Sequence, residues 1–174
     1  MNLGSSCIYP LHAENPTSED SFMKGELEPT NSPYAMAKIT AIEMGKSMNK
    51  QYNHQILNLM PTNLYGPNDN FSPESATVVP ALINKIFTAK QQKLESILIW
   101  GDGTVTRDFL YVKDAVRGLI RATEKYNESY PVNLASDHEV TISELVNLIS
   151  DIVDFKGEIK WQRLLNLMLK QERR

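Results

Sequence analysis

The sequence predicts an α/β fold with an at least partly parallel sheet. Two observations carry this: strand-like apolar runs alternate with helical segments along the chain, and proline or glycine punctuates the ends of the runs. With 174 residues, 41% of them hydrophobic and 22% charged, the composition is that of a globular chain long enough for a real core.

Residues 3–9 read as a short strand that runs out at Pro10. Residues 10–33 are rich in Pro, Glu, Ser, Thr and Asn without periodicity, and loops of that length inside compact domains usually carry function. A helix is predicted over 33–53, with Pro33 in its first turn. Ala35, Ile39 and Ile42 form one apolar stripe; Ala37, Ala41, Met44 and Met48 form another. Two such faces predict packing on both sides, against the helix's own sheet and against a partner. A strand at 55–60, stopped by Pro61, leads into a second polar loop at 61–76. Next come a helix at 78–91, a strand at 96–100, a turn at 101–103 and a strand at 107–112. The order closes with a helix at 113–126, a short strand at 131–134, a helix at 141–153 and a last strand at 159–161.

Several classes of function are excluded or left without support. The net charge of −3 gives no reason to expect nucleic acid or an anionic membrane as partner. From Lys160 to Arg174 five basic residues face one Glu, a sum of +4 that leaves −7 on the remainder; a basic helical tail is the plain reading. One cysteine, Cys7, precludes an internal disulfide, and His12, His54 and His138 lack metal-ligand spacing, so no metal is expected. No apolar run approaches the roughly 20 residues of a membrane span. Without a basic n-region or a long apolar h-region at its start, the chain is expected in the cytoplasm.

Chemistry concentrates in few places. Gly101-Asp-Gly103 begins a G-x-G but lacks a third glycine and precedes a strand, so it reads as a turn. Tyr34 and Lys38, four residues apart, project from one helix face. An ammonium beside a phenol favours the phenolate and makes the phenol a usable proton donor or acceptor. Taken alone, the pair reads as the surface of an amphipathic helix. Ser5 and Ser6, at a strand end about thirty residues upstream, supply a hydroxyl that could meet the same carbonyl oxygen as Tyr34.

Ser, Tyr and Lys in this order resemble the triad of the short-chain dehydrogenase/reductase superfamily. Longer stretches sharpen the likeness: Leu3-Gly-Ser-Ser-Cys-Ile-Tyr-Pro10, Leu27-Glu-Pro-Thr-Asn31, Pro33-Tyr-Ala-Met-Ala-Lys38, and Met60-Pro-Thr-Asn-Leu-Tyr-Gly-Pro-Asn-Asp-Asn70. With Trp100-Gly-Asp-Gly-Thr104 and Arg107-Asp-Phe-Leu-Tyr-Val112, they resemble the GDP-L-fucose synthase family of extended short-chain reductases. The resemblance implies a partial Rossmann-like parallel sheet over 1–76 and a smaller, partly interleaved α/β substrate region over 77–161, with 162–174 as a divergent tail. It implies epimerisation of a GDP-4-keto-6-deoxymannose at C3 and C5, reduction of its C4 ketone by NADPH, and a homodimer. Tyr34 would be the acid/base, Lys38 its partner and ribose ligand, and Ser5 the carbonyl donor. Leu3, Gly4, Ser5, Ser6, Pro61, Thr62, Asn63, Leu64 and Thr77 would line the NADP site. Lys85, Trp100 and Arg107 would hold the GDP-sugar. Cys7 would be an acid/base in epimerisation, although a lone cysteine at a strand end also reads as a small buried hydrophobe.

Three departures stand out. Thr77 occupies the position of a family histidine, and a hydroxyl cannot replace imidazole as a proton shuttle. Impaired epimerisation, a substitute such as His12, or a relative of different stereochemistry all fit. The glycine-rich βα turn, which the family places about a hundred residues before the Ser-Ser-Cys segment, does not occur in these residues, so Met1 reads as an internal start in a truncated frame. After Trp161 the family's substrate-contacting segment gives way to an amphipathic pattern. The alternatives kept open are a sibling 4-epimerase or 4,6-dehydratase and a non-catalytic fragment.

Overall fold

In the computed structural model, which describes residues 1–162, the strands are β1 (Asn2–Leu3), β2 (Asn58–Pro61), β3 (Asn63–Tyr65), β4 (Ser96–Trp100), β5 (Thr106–Tyr111), β6 (Val132–Leu134), β7 (Glu139–Thr141) and β8 (Glu158–Gln162). The α-helices are α1 (Ser32–Tyr52), α2 (Val78–Gln91), α3 (Val112–Lys125) and α4 (Ile142–Val153). Two units form: Met1–Leu64 with Phe109–Asp137, and Tyr65–Asp108 with the chain from His138.

The first unit holds a parallel sheet in the order β1-β2-β6, with Leu3 opposite Leu59, and Leu59 opposite Val132. The parallel α/β class expected from the alternation is therefore present. Pro61 belongs to β2 instead of stopping it: β1 has ended at Leu3, so the missing N–H of Pro61 breaks no ladder bond. Pro33 starts α1 in its first turn, and Asn53, in the left-handed region at φ 55°, ends it. Ala35, Ile39, Ile42 and Gly45 form its buried face, three or four residues apart. Ile39 and Ile42 share a core with Ile8, Tyr9, Phe22 and Met60. Met44 and Met48, from the second stripe, are exposed.

The strand expected over 3–9 is only Asn2–Leu3. Beyond it Ser5 Oγ accepts from Cys7 N at 3.3 Å, and Ile8 N donates to Ser5 O at 3.2 Å, folding residues 6–8 into a 3-10 turn. A serine oxygen competing for backbone donors in this way ends a strand that apolar pattern alone would continue. The segment after it is tied down by side chains. Tyr9 donates to Asn133 Oδ1 at 2.6 Å, Asn133 Nδ2 to Thr17 O, and Asn133 N to Glu19 Oε1. Burial, with the Glu19 carboxylate second, holds the Tyr9 phenol protonated far above its ordinary range.

In the second unit β4 and β8 pair in parallel, Ile97 opposite Ile159 and Ile99 opposite Trp161. Leu82, Ile86 and Ala89 of α2 bury with Ile97, Ile99, and Val146 and Ile149 of α4. Thr141 and Glu144 cap α4 reciprocally: Thr141 Oγ1 accepts from Glu144 N, and Glu144 Oε2 accepts from Thr141 N. The strand β7, which precedes it and pairs antiparallel with β5, is not among the strands expected from the sequence. Gly101 and Gly103, at φ 94° and 79°, form the expected turn. Gln162 closes β8, while residues 163–174 of the expected tail lie outside the described residues. Among the described residues no helix is long and apolar enough to cross a membrane, and no cluster of three His, Cys, Asp or Glu could hold a metal.

Candidate active site

The parallel register brings the carboxyl ends of β1 and β2 out side by side, and α1 lies against the first of them. Lys38 Nζ donates to Leu3 O at 2.8 Å. The same ammonium stands 5.5 Å from the ring centroid of Tyr34, one turn earlier on the helix. The i, i+4 pair is thus anchored to the strand end that carries Gly4, Ser5 and Ser6. Tyr34 itself is 49% exposed, so its ring faces open space and not the core. Gly4 is buried: its N–H donates to Leu59 O at 2.8 Å, and a Cβ there would overlap Met60 Sδ and Cε. Leu3 and Ser6 are exposed, as are Asn63 and Leu64; Ser5, Pro61 and Thr62 are half-buried. These residues lie at or follow the carboxyl ends of β1 and β2, the end of an open parallel sheet at which α/β proteins bind ligands.

Cys7 is half-buried in the 3-10 turn and accepts a hydrogen bond from Asn31 Nδ2 at 3.6 Å. Asn31 and the turn before α1 are held by Glu28, whose carboxylate accepts from Thr30 N, Thr30 Oγ1 and Asn31 N at 3.1, 2.6 and 2.9 Å. Those bonds, the Thr30 hydroxyl first, hold the Glu28 carboxyl below the usual carboxylate range. Sequence reasoning assigned no role to Glu28 or Asn31. The signal was present in Glu28-Pro-Thr-Asn31, since an acid two residues before Thr30 and three before Asn31 is suited to such a turn.

In the second unit Lys85, Trp100 and Arg107 line one groove of about 850 Å³ between α2 and β4. Burial alternates along β4: Ile97 and Ile99 belong to the core, Leu98 and Trp100 are exposed, and all four border the groove. Trp100 is 71% exposed, which rules out the strand-end core residue it could have been. The Arg107 guanidinium folds back onto Thr106 O at 2.8 Å. Thr77 is exposed at the N-terminus of α2, and its side chain makes no capping bond.

A parallel sheet with a Tyr-x-x-x-Lys helix bonded back to its first strand, in a chain whose second unit carries a groove lined by Lys85, Arg107 and Trp100, is the layout of a segment of a Rossmann-type reductase or epimerase. The model of the NAD dependent epimerase/dehydratase family matches residues 1–135, and the chain belongs to that family. It is 46% identical over 157 residues to a GDP-L-fucose synthase of Sinorhizobium fredii, covering 90% of this chain and 50% of that protein. To the Escherichia coli GDP-L-fucose synthase it is 40% identical over 166 residues, covering 90% and 52%. Among solved structures, a GDP-L-fucose synthetase from Naegleria fowleri superposes with a TM-score of 0.85 at 29% identity, covering 92% of this chain and 51% of that one. The chain therefore spans about half the length of the curated relatives it matches.

Proposed function

We propose that this chain is the catalytic and GDP-sugar-binding half of an NADP-dependent epimerase/reductase that makes GDP-L-fucose from GDP-4-keto-6-deoxymannose. The observation that carries the reading is the bond from Lys38 to Leu3 O, which fixes the Tyr34–Lys38 face at the strand end bearing Ser5. Support comes also from the relatives, named GDP-L-fucose synthases, and from a GDP-mannoheptose C4 reductase of Campylobacter jejuni solved with NADP bound, at TM-score 0.82 and 26% identity.

The residues present suit the nicotinamide end of NADP. Lys38 keeps donor capacity beyond its one backbone bond, enough to reach a ribose hydroxyl. Buried Gly4 lets the chain pass close, and Leu3 to Ser6 with Pro61 to Leu64 would flank the ring. When bound, NADPH supplies a hydride. Ser5 would donate to the C4 carbonyl oxygen, and Tyr34 would deliver the proton to that oxygen as it becomes a hydroxyl. Lys38 would stabilise the phenolate left behind. Cys7 would move protons at C3 and C5. On the second unit Lys85 and Arg107 would pair with the diphosphate while Trp100 packs on a ring. Thr77 would meet the cofactor and contribute no proton. A 4-epimerase or 4,6-dehydratase would leave Cys7 without a role. The exposed Met44 and Met48 face of α1 suits a homodimer.

The test joins this chain to the part of the Sinorhizobium fredii relative that it does not match, then follows NADPH absorbance with the 4-keto sugar nucleotide. Oxidation that stops with Ser5→Ala and Lys38→Met supports the reading. Sugar-nucleotide binding with no NADPH oxidation contradicts it.

A further inference from the structure

Asparagine is among the strongest helix N-caps, because its side-chain oxygen accepts from the second or third N–H of the helix. Asn31 stands at the N-cap position of α1, and its side chain makes no such bond. Its backbone is in the right-handed region (φ −106°, ψ −3°), not the extended one a capping residue uses, and its amide Nδ2 donates to Cys7 Sγ instead. The turn that sets this geometry is closed by Glu28, which accepts three bonds from Thr30 and Asn31. On the other side Ser5 Oγ fixes the N–H of Cys7. The sulfur is thus located from both flanks, and a residue suited to capping is used on it.

We propose that Asn31 is the positioning residue for Cys7, aimed by the Glu28 carboxylate. An N–H donor stabilises a thiolate over a thiol and holds the sulfur lone pairs toward one direction. This inference rests on the proposed role of Cys7 in proton transfer, and it gives the Glu-Pro-Thr-Asn stretch a purpose. The side-chain donor given to the sulfur is a fixed amide. Asn31 carries no exchangeable charge, so it orients Cys7 and moves no proton itself.

Cys7 is the only cysteine in the sequence, so alkylation of the intact chain by iodoacetamide reads this sulfur alone. The quantity to compare is the rate at about pH 7.5 divided by the rate at about pH 10, where a thiol of ordinary pKa is ionised; the ratio cancels changes in access. Asn31→Asp keeps the shape and replaces the donor with a carboxylate, so the ratio is expected to fall about fivefold, the effect of one like charge a few ångströms away. Asn31→Ala, which adds no charge, is expected to lower it about twofold and serves if the Asp variant does not fold. Circular dichroism checks the fold of each. A ratio unchanged in a folded variant, or raised, overturns the proposal. Because no turnover is needed, that failure leaves the proposed reaction standing, and loss of NADPH oxidation by the joined enzyme would leave the alkylation result intact.

Discussion

Gly4→Ala measures how rigidly the fold holds the backbone of the strand end that carries Ser5. The new Cβ would overlap Met60 Sδ and Cε, and Met60 is 1% exposed, enclosed with Ile8, Tyr9, Phe22, Ile39 and Ile42. Leu59 O, 3.4 Å from the Cβ, limits retreat in its direction. Overpacking of this kind costs about 1–3 kcal/mol, and the flexible thioether places the expected loss at about 1–2 kcal/mol. Met60→Val removes the atoms in the way but leaves a cavity, at a cost of roughly 1–2 kcal/mol. In the double variant the alanine methyl occupies part of that cavity, so the two losses should fall short of additivity by about 1 kcal/mol. Urea unfolding of the four proteins, followed by far-ultraviolet circular dichroism, gives the cycle. Losses that add to within about 0.5 kcal/mol would refute the claim that Gly4 and Met60 share one tightly filled space.

Three further outcomes are expected. Gly103→Ala meets the Trp161 ring at 2.8 Å and keeps φ at 79°, so strain of about 1–2 kcal/mol adds to overpacking, and urea unfolding read by tryptophan fluorescence should show a loss above about 2 kcal/mol. The Glu144 carboxyl lies below its ordinary value of 4.5 because Thr141 N–H, and then the Thr141 hydroxyl, donate to it. Its stabilisation is complete above that value and is lost as pH falls through the lower folded one, so Glu144→Gln should flatten the acid limb of Tm against pH; an unchanged limb contradicts the capping account. In the joined enzyme Thr77→His should speed deuterium uptake from solvent at C3 and C5, whereas rapid exchange at both carbons with Thr77 in place would show that Cys7 needs no second titratable partner.

Periodicity made the long elements legible. The i, i+4, i+7 spacing of Ala35, Ile39 and Ile42 marked the buried face of α1, and a short apolar run ending at the Gly101–Gly103 turn marked β4. Of the three-residue strands β6 was anticipated, whereas β3, inside the polar stretch 61–76, and β7, directly before α4, were not. The strand end after Leu3 was misread because its stop is one serine oxygen bonding a nearby N–H, a geometric event with no apolar signature. At the site, Tyr34 and Lys38 were readable from spacing, but the acceptor at Leu3 O depends on a strand thirty-five residues away. Asn31 and Glu28 stood in a stretch recognised by resemblance. Their use became visible only when the 3-10 turn brought Cys7 to them.

The proposed reaction turns on Tyr34, carried with Lys38 to the end of β1, delivering the proton to the reduced carbonyl oxygen. Single-turnover NADPH oxidation by the joined enzyme, comparing Tyr34 with Tyr34→Phe at saturating sugar nucleotide, isolates that proton transfer. The expected rate is lower by about 10²–10⁴ in the phenylalanine form, with sugar-nucleotide binding unchanged because Trp100, Lys85 and Arg107 lie in another unit. Equal single-turnover rates for the two forms would show that Tyr34 does not deliver the proton.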